Sequence, residues 1–312
     1  MQYPILGAAV FIGIATLTST SGSATEAAMG RYTPGLFAVP GAGIVPPMPN
    51  VYWQSTSFVY FGSAGDDLEI PIGGTAQFGL SADIIATSMT GLWVPDIKLG
   101  DNLTFAISGT IPVGYMKVDA ALGPFGASDH VTDIGDIMVA PTIGWNEGAN
   151  FVSAALRIYG PTGGWEKNAL ANIGLNYWTF SPTLAYTHLV PEKGIDFSFV
   201  AGLDINTENT ATDYTSGLLA HFDAILTKKF ENNVGIGIFA SALLQVTKDD
   251  GGVIADRLDG FEGRSFAIGP VLTYTGGTKE SPVSFSMNWA PEFGVKNRLE
   301  GNAVYLNISG TF

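Results

Sequence analysis

The chain has 312 residues, of which 40 are glycine and none is cysteine; 46% are hydrophobic, 12% aromatic and only 13% charged. A formal charge of −14 from 28 acidic and 14 scattered basic residues excludes nucleic acid as a partner, because phosphate binding needs clustered Lys and Arg. The absence of cysteine excludes a disulfide framework, a thiolate metal site and a lipidated N-terminal Cys, and the apolar, aromatic composition excludes a disordered chain.

The first apolar run, "ILGAAVFIGIATL" (5–17), is too short to span a bilayer comfortably. Small polar residues follow it, with Gly22 and Ala24 suited to a cleavage site, so residues 1–24 read as a secretory signal peptide. The opening "MQYP" lacks the basic residues of such a signal, which places the expected natural start further upstream. A buried N-terminal helix fits the glycines and β-branched residues of the run less well.

Residues 25–53 form a Pro/Gly-rich segment, with prolines at 34, 40, 46, 47 and 49 and little charge. It has too much proline to pair in a sheet and is too apolar for a free linker. It is expected to fold into the mouth or lumen of a barrel as a plug, through Arg31, Tyr32, Pro34, Phe37, Pro46, Pro47 and Trp53. The alternative is a tail tucked under the periplasmic rim.

From residue 54 to 312 the chain alternates apolar and polar residues between clusters of Gly, Asn, Asp and Pro. In "GIDFSFVAGLDIN", Ile195, Phe197, Phe199, Ala201, Leu203 and Ile205 share one face of an extended chain. Twelve strands are expected, near 54–62, 78–94, 102–117, 136–146, 149–160, 172–189, 194–206, 214–229, 233–247, 263–275, 282–296 and 302–312. Short connections such as "NEGA" and "FENN" alternate with mostly longer acidic ones such as "VDAALGPFGASDHVTDIG". That asymmetry predicts an all-β fold: a transmembrane up-and-down antiparallel β-barrel in the outer membrane of a Gram-negative bacterium, with turns in the periplasm and loops outside. Its environment would be outer-membrane lipid and lipopolysaccharide.

Alternation also assigns faces. A basic residue on the lipid side costs roughly 2–4 kcal/mol near the midplane, so Arg157, Asp196, Asp204, His221, Asp223, Glu292 and Lys296 are expected to line the lumen. They would form either a polar constriction or a mutually satisfied structural network. Tyr52, Trp53, Trp93, Tyr115, Trp145, Tyr159, Tyr274 and Trp289 recur near strand ends and suggest interfacial girdles. Asp249, Asp250, Asp256, Asp259 and Glu262 gather in one external loop, but their spacing matches no EF-hand. His130, His188 and His221 show no zinc spacing, and no G-x-S-x-G elbow occurs. No metal, cofactor or enzymatic activity is expected. An outer-membrane lipolytic enzyme would need a lipid-facing Ser and His, whereas His221 falls on the inner face.

The stretch "RIYGPTGGWEKNALANIGLNYWTFSPTLAYTHL" (157–189) closely resembles the outer-membrane family named for the meta-pathway of phenol degradation, as does the opening "GRYTPGLFAVPGAGIVPPMPNVYW". The resemblance implies a β-barrel that carries aromatic or other hydrophobic compounds across the outer membrane. Passage is expected to be passive, because nothing in the sequence binds nucleotide and the outer membrane offers no such energy source. A structural or adhesive barrel acting through its external loops is the alternative. The final "NAVYLNISGTF" is expected to close the barrel against "QSTSFVYFG". Its terminal Phe312 resembles the signal read by the barrel-assembly machinery.

Overall fold

The computed structural model describes residues 30–64, 70–72, 75–77, 79–97, 99–122, 125–251, 262–278 and 281–311. Phe312, Asp256 and Asp259 lie outside the described residues.

Twelve antiparallel strands close into a barrel: β1 (Asn50–Ser63), β4 (Ser81–Val94), β5 (Leu103–Leu122), β7 (Met138–Glu147), β8 (Asn150–Tyr159), β9 (Thr179–Val190), β10 (Ile195–Asn206), β11 (Leu219–Lys229), β12 (Val234–Gln245), β13 (Arg264–Gly277), β14 (Pro282–Lys296) and β15 (Glu300–Thr311). Three others stand outside this ring: the short pair β2 (Ile70–Ile72) and β3 (Thr75–Gln77), and β6 (Phe125–Ile134). The ring closes between its first and last strands, with Tyr52 opposite Thr311 and Ser63 opposite Glu300. Closure leaves no strand edge to lipid, where an unpaired backbone group would cost several kcal/mol. The fold is that of a Gram-negative outer-membrane protein.

Side-chain alternation follows the expected sense. In β10, Phe197, Leu203 and Ile205 are exposed while Asp196, Ser198, Val200, Gly202 and Asp204 are buried. In β15, Val304 and Leu306 face out, and Ala303, Tyr305 and Asn307 face in. Around the ring Ile85, Ile111, Ile143, Leu184, Leu226, Ile238 and Ile268 continue the exposed belt. Their solvent is hydrocarbon, so exposure here is the favourable state. Inside, Ala, Ser, Thr and Gly dominate because the opposing walls leave room for few large side chains.

Several segments depart from the expected strands. The "DAALGPFGASDHVTDIG" stretch, read as a loop, contains β6, which pairs with the far half of β5 from Val113 opposite Ile134 to Leu122 opposite Phe125. This hairpin projects past the lipid belt, and most of β6 from Gly126 is exposed. Without an apolar medium on one side its sequence has no reason to alternate. Residues 172–178 are not strand, and β9 begins only at Thr179; likewise β11 begins at Leu219 rather than near 214. At the other end β1 starts at Asn50, four residues earlier than expected.

The irregularity beside β6 shapes the interior. β6 and β7 are one descending strand interrupted at 135–137, since the near half of β5 pairs with β7. β8 ends at Tyr159 opposite Met138, so among the described residues no strand continues alongside β6. Residues 160–178 fold into that place: Gly164 N–H donates to the Ile134 carbonyl at 2.9 Å, and Gly160 N–H to that of Ile137 at 3.0 Å. The fit is backbone to backbone, because a Cβ on Gly163 would stand 2.6 Å from the carbonyl carbon of Gly135.

Substituting Ile238→Arg, at mid-strand on the lipid face, should lower barrel stability by roughly 2–4 kcal/mol. Ile97→Arg in a short turn should change it by no more than about 0.5 kcal/mol. Denaturant unfolding in lipid vesicles measures both, and equal losses would contradict the face assignment.

Candidate functional site in the barrel lumen

Residues 30–46 lie against the inner wall, and their seating is a matter of hydrogen-bond accounting. The Arg31 guanidinium donates to Asp136 Oδ2 at 2.5 Å, to Thr179 Oγ1 at 3.1 Å and to the Tyr177 carbonyl at 2.8 Å. Asp136 is buried in turn, accepting from the Thr162, Gly163 and Leu175 backbone N–H groups at 2.7–3.0 Å. One carboxylate thus ties the N-terminal segment to the 160–178 loop.

Lower in the barrel a second carboxylate does the same. Asp223 on β11 accepts from the Tyr32 hydroxyl at 2.8 Å, the Gly35 N–H at 3.2 Å and the Ser241 hydroxyl at 2.5 Å. Asn288 on β14 donates to the Gly35 carbonyl, and the Tyr305 hydroxyl on β15 reaches the Thr33 and Pro34 carbonyls. Further down, Gly41 N–H donates to Ser198 and Gly43 N–H to Thr187. At Gly43 the segment presses on the wall so closely that a Cβ would lie 2.7 Å from the Thr187 nitrogen. Only glycine allows that approach.

The segment leans to one side. Tyr32 packs with Leu219 and Leu243, and Ala38 joins Phe239, Ala290 and Tyr305 in the largest buried cluster. Opposite this contact lies an open cavity of about 770 Å³, running from Trp53, Pro282 and Thr311 at the short-turn rim to Ile173 and Leu175 of the 160–178 loop. Strands β11, β12 and β13 contribute none of its lining; β1, β4, β5, β7 and β8 contribute most. One wall carries uncharged hydroxyls such as Thr90, Thr110, Thr142 and Ser153, with Thr90 and Thr110 bonded to each other at 2.7 Å. The facing wall is apolar, formed by Phe37, Val39, Ile44 and Val45 of the segment.

Of the seven lumen candidates, Arg157 alone lines this cavity. Asp196, Asp204, His221, Asp223 and Glu292 point inward but are buried in contacts. Asp196 accepts from Ser198, Glu292 from Ser265, Tyr60 and the Gly301 N–H, and His221 stacks on Tyr32 with Asp204 3.6 Å from its Nε2. Lys296 is exposed at the end of β14. Gly294, at φ 61°, and a register shift against β13 break the alternation that had placed Lys296 inside. Because His221 is fully enclosed, it does not reach the lipid-facing surface that lipolysis would use.

Arg31, Tyr32, Pro34, Phe37 and Pro46 of the segment are buried or half-buried, whereas Pro47 is exposed. Trp53 is a wall residue, paired with Gly310 across the β1–β15 closure and lining the cavity from there. Tyr52 and Tyr159, expected in an outer girdle, also line the cavity, while Trp93, Trp145, Tyr274 and Trp289 are exposed. Asp249 organises its own loop by accepting from Tyr214, Gln245 and the Gly217 N–H. No metal-ligating cluster occurs among the described residues. Asp136 escaped the sequence reading because "DIGDIM" resembles the start of a strand.

A family model described as "Putative MetA-pathway of phenol degradation" matches residues 65–308. Among solved structures, the COG4313 outer membrane channel from Pseudomonas putida F1 superposes with a TM-score of 0.67 at 14% identity, covering 88% of this chain and 99% of that one. The transport unit of the autotransporter AIDA-I from Escherichia coli gives 0.51 at 12% identity, covering 86% and 92%. No curated protein matches the sequence.

Asp136→Ala should release both the segment and the 160–178 loop, since breaking a buried ion pair costs about 3–5 kcal/mol. Protease cleavage within 160–178 and labelling of a cysteine placed at Ala38 should both accelerate. Unchanged rates of both would show that Asp136 is not the tie.

Proposed function

The chain belongs to the family described as Putative MetA-pathway of phenol degradation, and on that premise we propose that it is an outer-membrane channel for passive uptake of small hydrophobic or aromatic compounds. The observation that carries this reading is the cavity beside the N-terminal segment. Its volume of about 770 Å³ falls within the roughly 300–1,000 Å³ of small-molecule sites. It extends along the barrel, and it joins an apolar face to a wall of neutral hydroxyls.

Such a lining suits a solute that passes rather than lodges. Apolar surface lowers the cost of leaving water, and uncharged hydroxyls offer hydrogen bonds without the strong desolvation of fixed charge. Most lumen carboxylates are already occupied by partners, so they do not hold a passing solute. In this reading the Pro/Gly-rich segment is the plug, through its residues 30–46. They fill the β9–β14 side of the barrel and limit the opening to the remaining half. The channel fold of the Pseudomonas putida protein supports a transport role over an adhesive one.

Vesicles containing the purified barrel should take up toluene or phenol faster than empty vesicles, with no energy source. No acceleration would reject the uptake reading. Deleting residues 27–50 should raise single-channel conductance several-fold in barrels whose folding is verified by heat-dependent gel migration. Unchanged conductance in folded barrels would reject the plug.

A further inference from the structure

Resting on the reading of the cavity as the transport path, we infer that its preferred passengers carry a carboxylate: compact aromatic monocarboxylates, bound in transit by Arg157. The chain as a whole is strongly acidic at −14, yet the charged residues lining the cavity are Arg31, Asp136 and Arg157. Arg31 and Asp136 neutralise each other at 2.5 Å. One positive charge is left over in the open half of the lumen.

Arg157 is placed to use that charge. It projects from β8 with Nη1 donating to Thr183 Oγ1 at 3.1 Å, and its guanidinium lies 3.9 Å from the centre of the Phe37 ring. No carboxylate of the described residues pairs with it. A single bond to a neutral hydroxyl leaves most of its five N–H donors for another partner. A half-buried cation with no carboxylate in contact attracts an anion, and a planar guanidinium favours a carboxylate, which it meets through two parallel hydrogen bonds. Phe37 flanks the cation on the segment side, and Val39 lines the same cavity. They supply the apolar surface against which a ring rather than a bare inorganic anion gains energy. Charge and apolar wall together define an amphiphile with one negative end.

The test compares benzoate with toluene, matched in ring and differing in charge, in vesicles containing the full-length barrel. Wild-type protein should carry benzoate faster than it carries toluene relative to empty vesicles. Arg157→Gln should reduce benzoate flux by about tenfold, the worth of a charge-assisted hydrogen bond, and leave toluene flux within about twofold. Arg157→Lys, which keeps the charge, should retain most of the benzoate flux. The reversal potential in a potassium benzoate gradient should move toward cation selectivity in Arg157→Gln. Unchanged benzoate flux in Arg157→Gln would overturn the inference. So would a joint rise of both fluxes, which would make Arg157 only a latch on Phe37. If toluene crosses and benzoate does not, the carboxylate preference fails and the channel stands. If neither compound crosses wild-type barrels, the channel reading fails first and takes this inference with it.

Discussion

The requirement on which the whole structure depends is that no backbone polar group may face hydrocarbon unpaired. It forces β1 onto β15 and so fixes a closed ring of strands. A ring of this size has an interior too narrow for two layers of large side chains and too wide to close on small ones. The N-terminal segment resolves that mismatch. Its prolines at 34 and 40 lack N–H donors, so the segment brings few groups that need partners into the interior. Those it does bring are met by local turns or by wall side chains: Gly35 by Asp223, Gly41 by Ser198, Gly43 by Thr187.

The resulting division of the lumen is electrostatic as much as steric. Two carboxylates, Asp136 and Asp223, sit where the segment and the wall touch, and each accepts several hydrogen bonds. The open half is lined by hydroxyls and aliphatic groups with a single uncompensated guanidinium. Asp136 and Asp223 hold the segment in place, and the one carboxylate that lines the cavity, Asp136, is neutralised by Arg31. An acidic chain thereby presents a cavity whose lining is mildly basic.

Much of this was legible in the sequence for one reason: lipid imposes a period of two wherever a strand crosses it. The lipid-crossing strands of β10, β12 and β15 read correctly to within a residue or two, and Asp196, Asp204, His221, Asp223 and Glu292, which alternation set on the inner face, are buried. Where lipid is absent the signal fails. β6 rises above the belt with most of its residues exposed and read as a loop. Residues 172–178 are held by Asp136, a partner far away in sequence, and by Gly164 of the same loop, and their apolar content imitated a strand. Lys296 lies past a glycine with positive φ, where alternation stops carrying information. Alternation could place Arg157 inside but could not separate it from the other inward charges, because whether a charge is paired depends on the segment that crosses the lumen.

That last dependence couples the barrel's energetics to its permeability. Withdrawing the segment would strip Asp223 of the Tyr32 and Gly35 donors and Asp136 of Arg31, leaving carboxylates in a space walled by apolar side chains. Such a state is tolerable only if water enters to replace the lost donors, since an unpaired buried charge costs several kcal/mol. Seated, the segment supplies through its guanidinium, hydroxyl and backbone donors the hydrogen bonds that water would otherwise have to give these carboxylate oxygens.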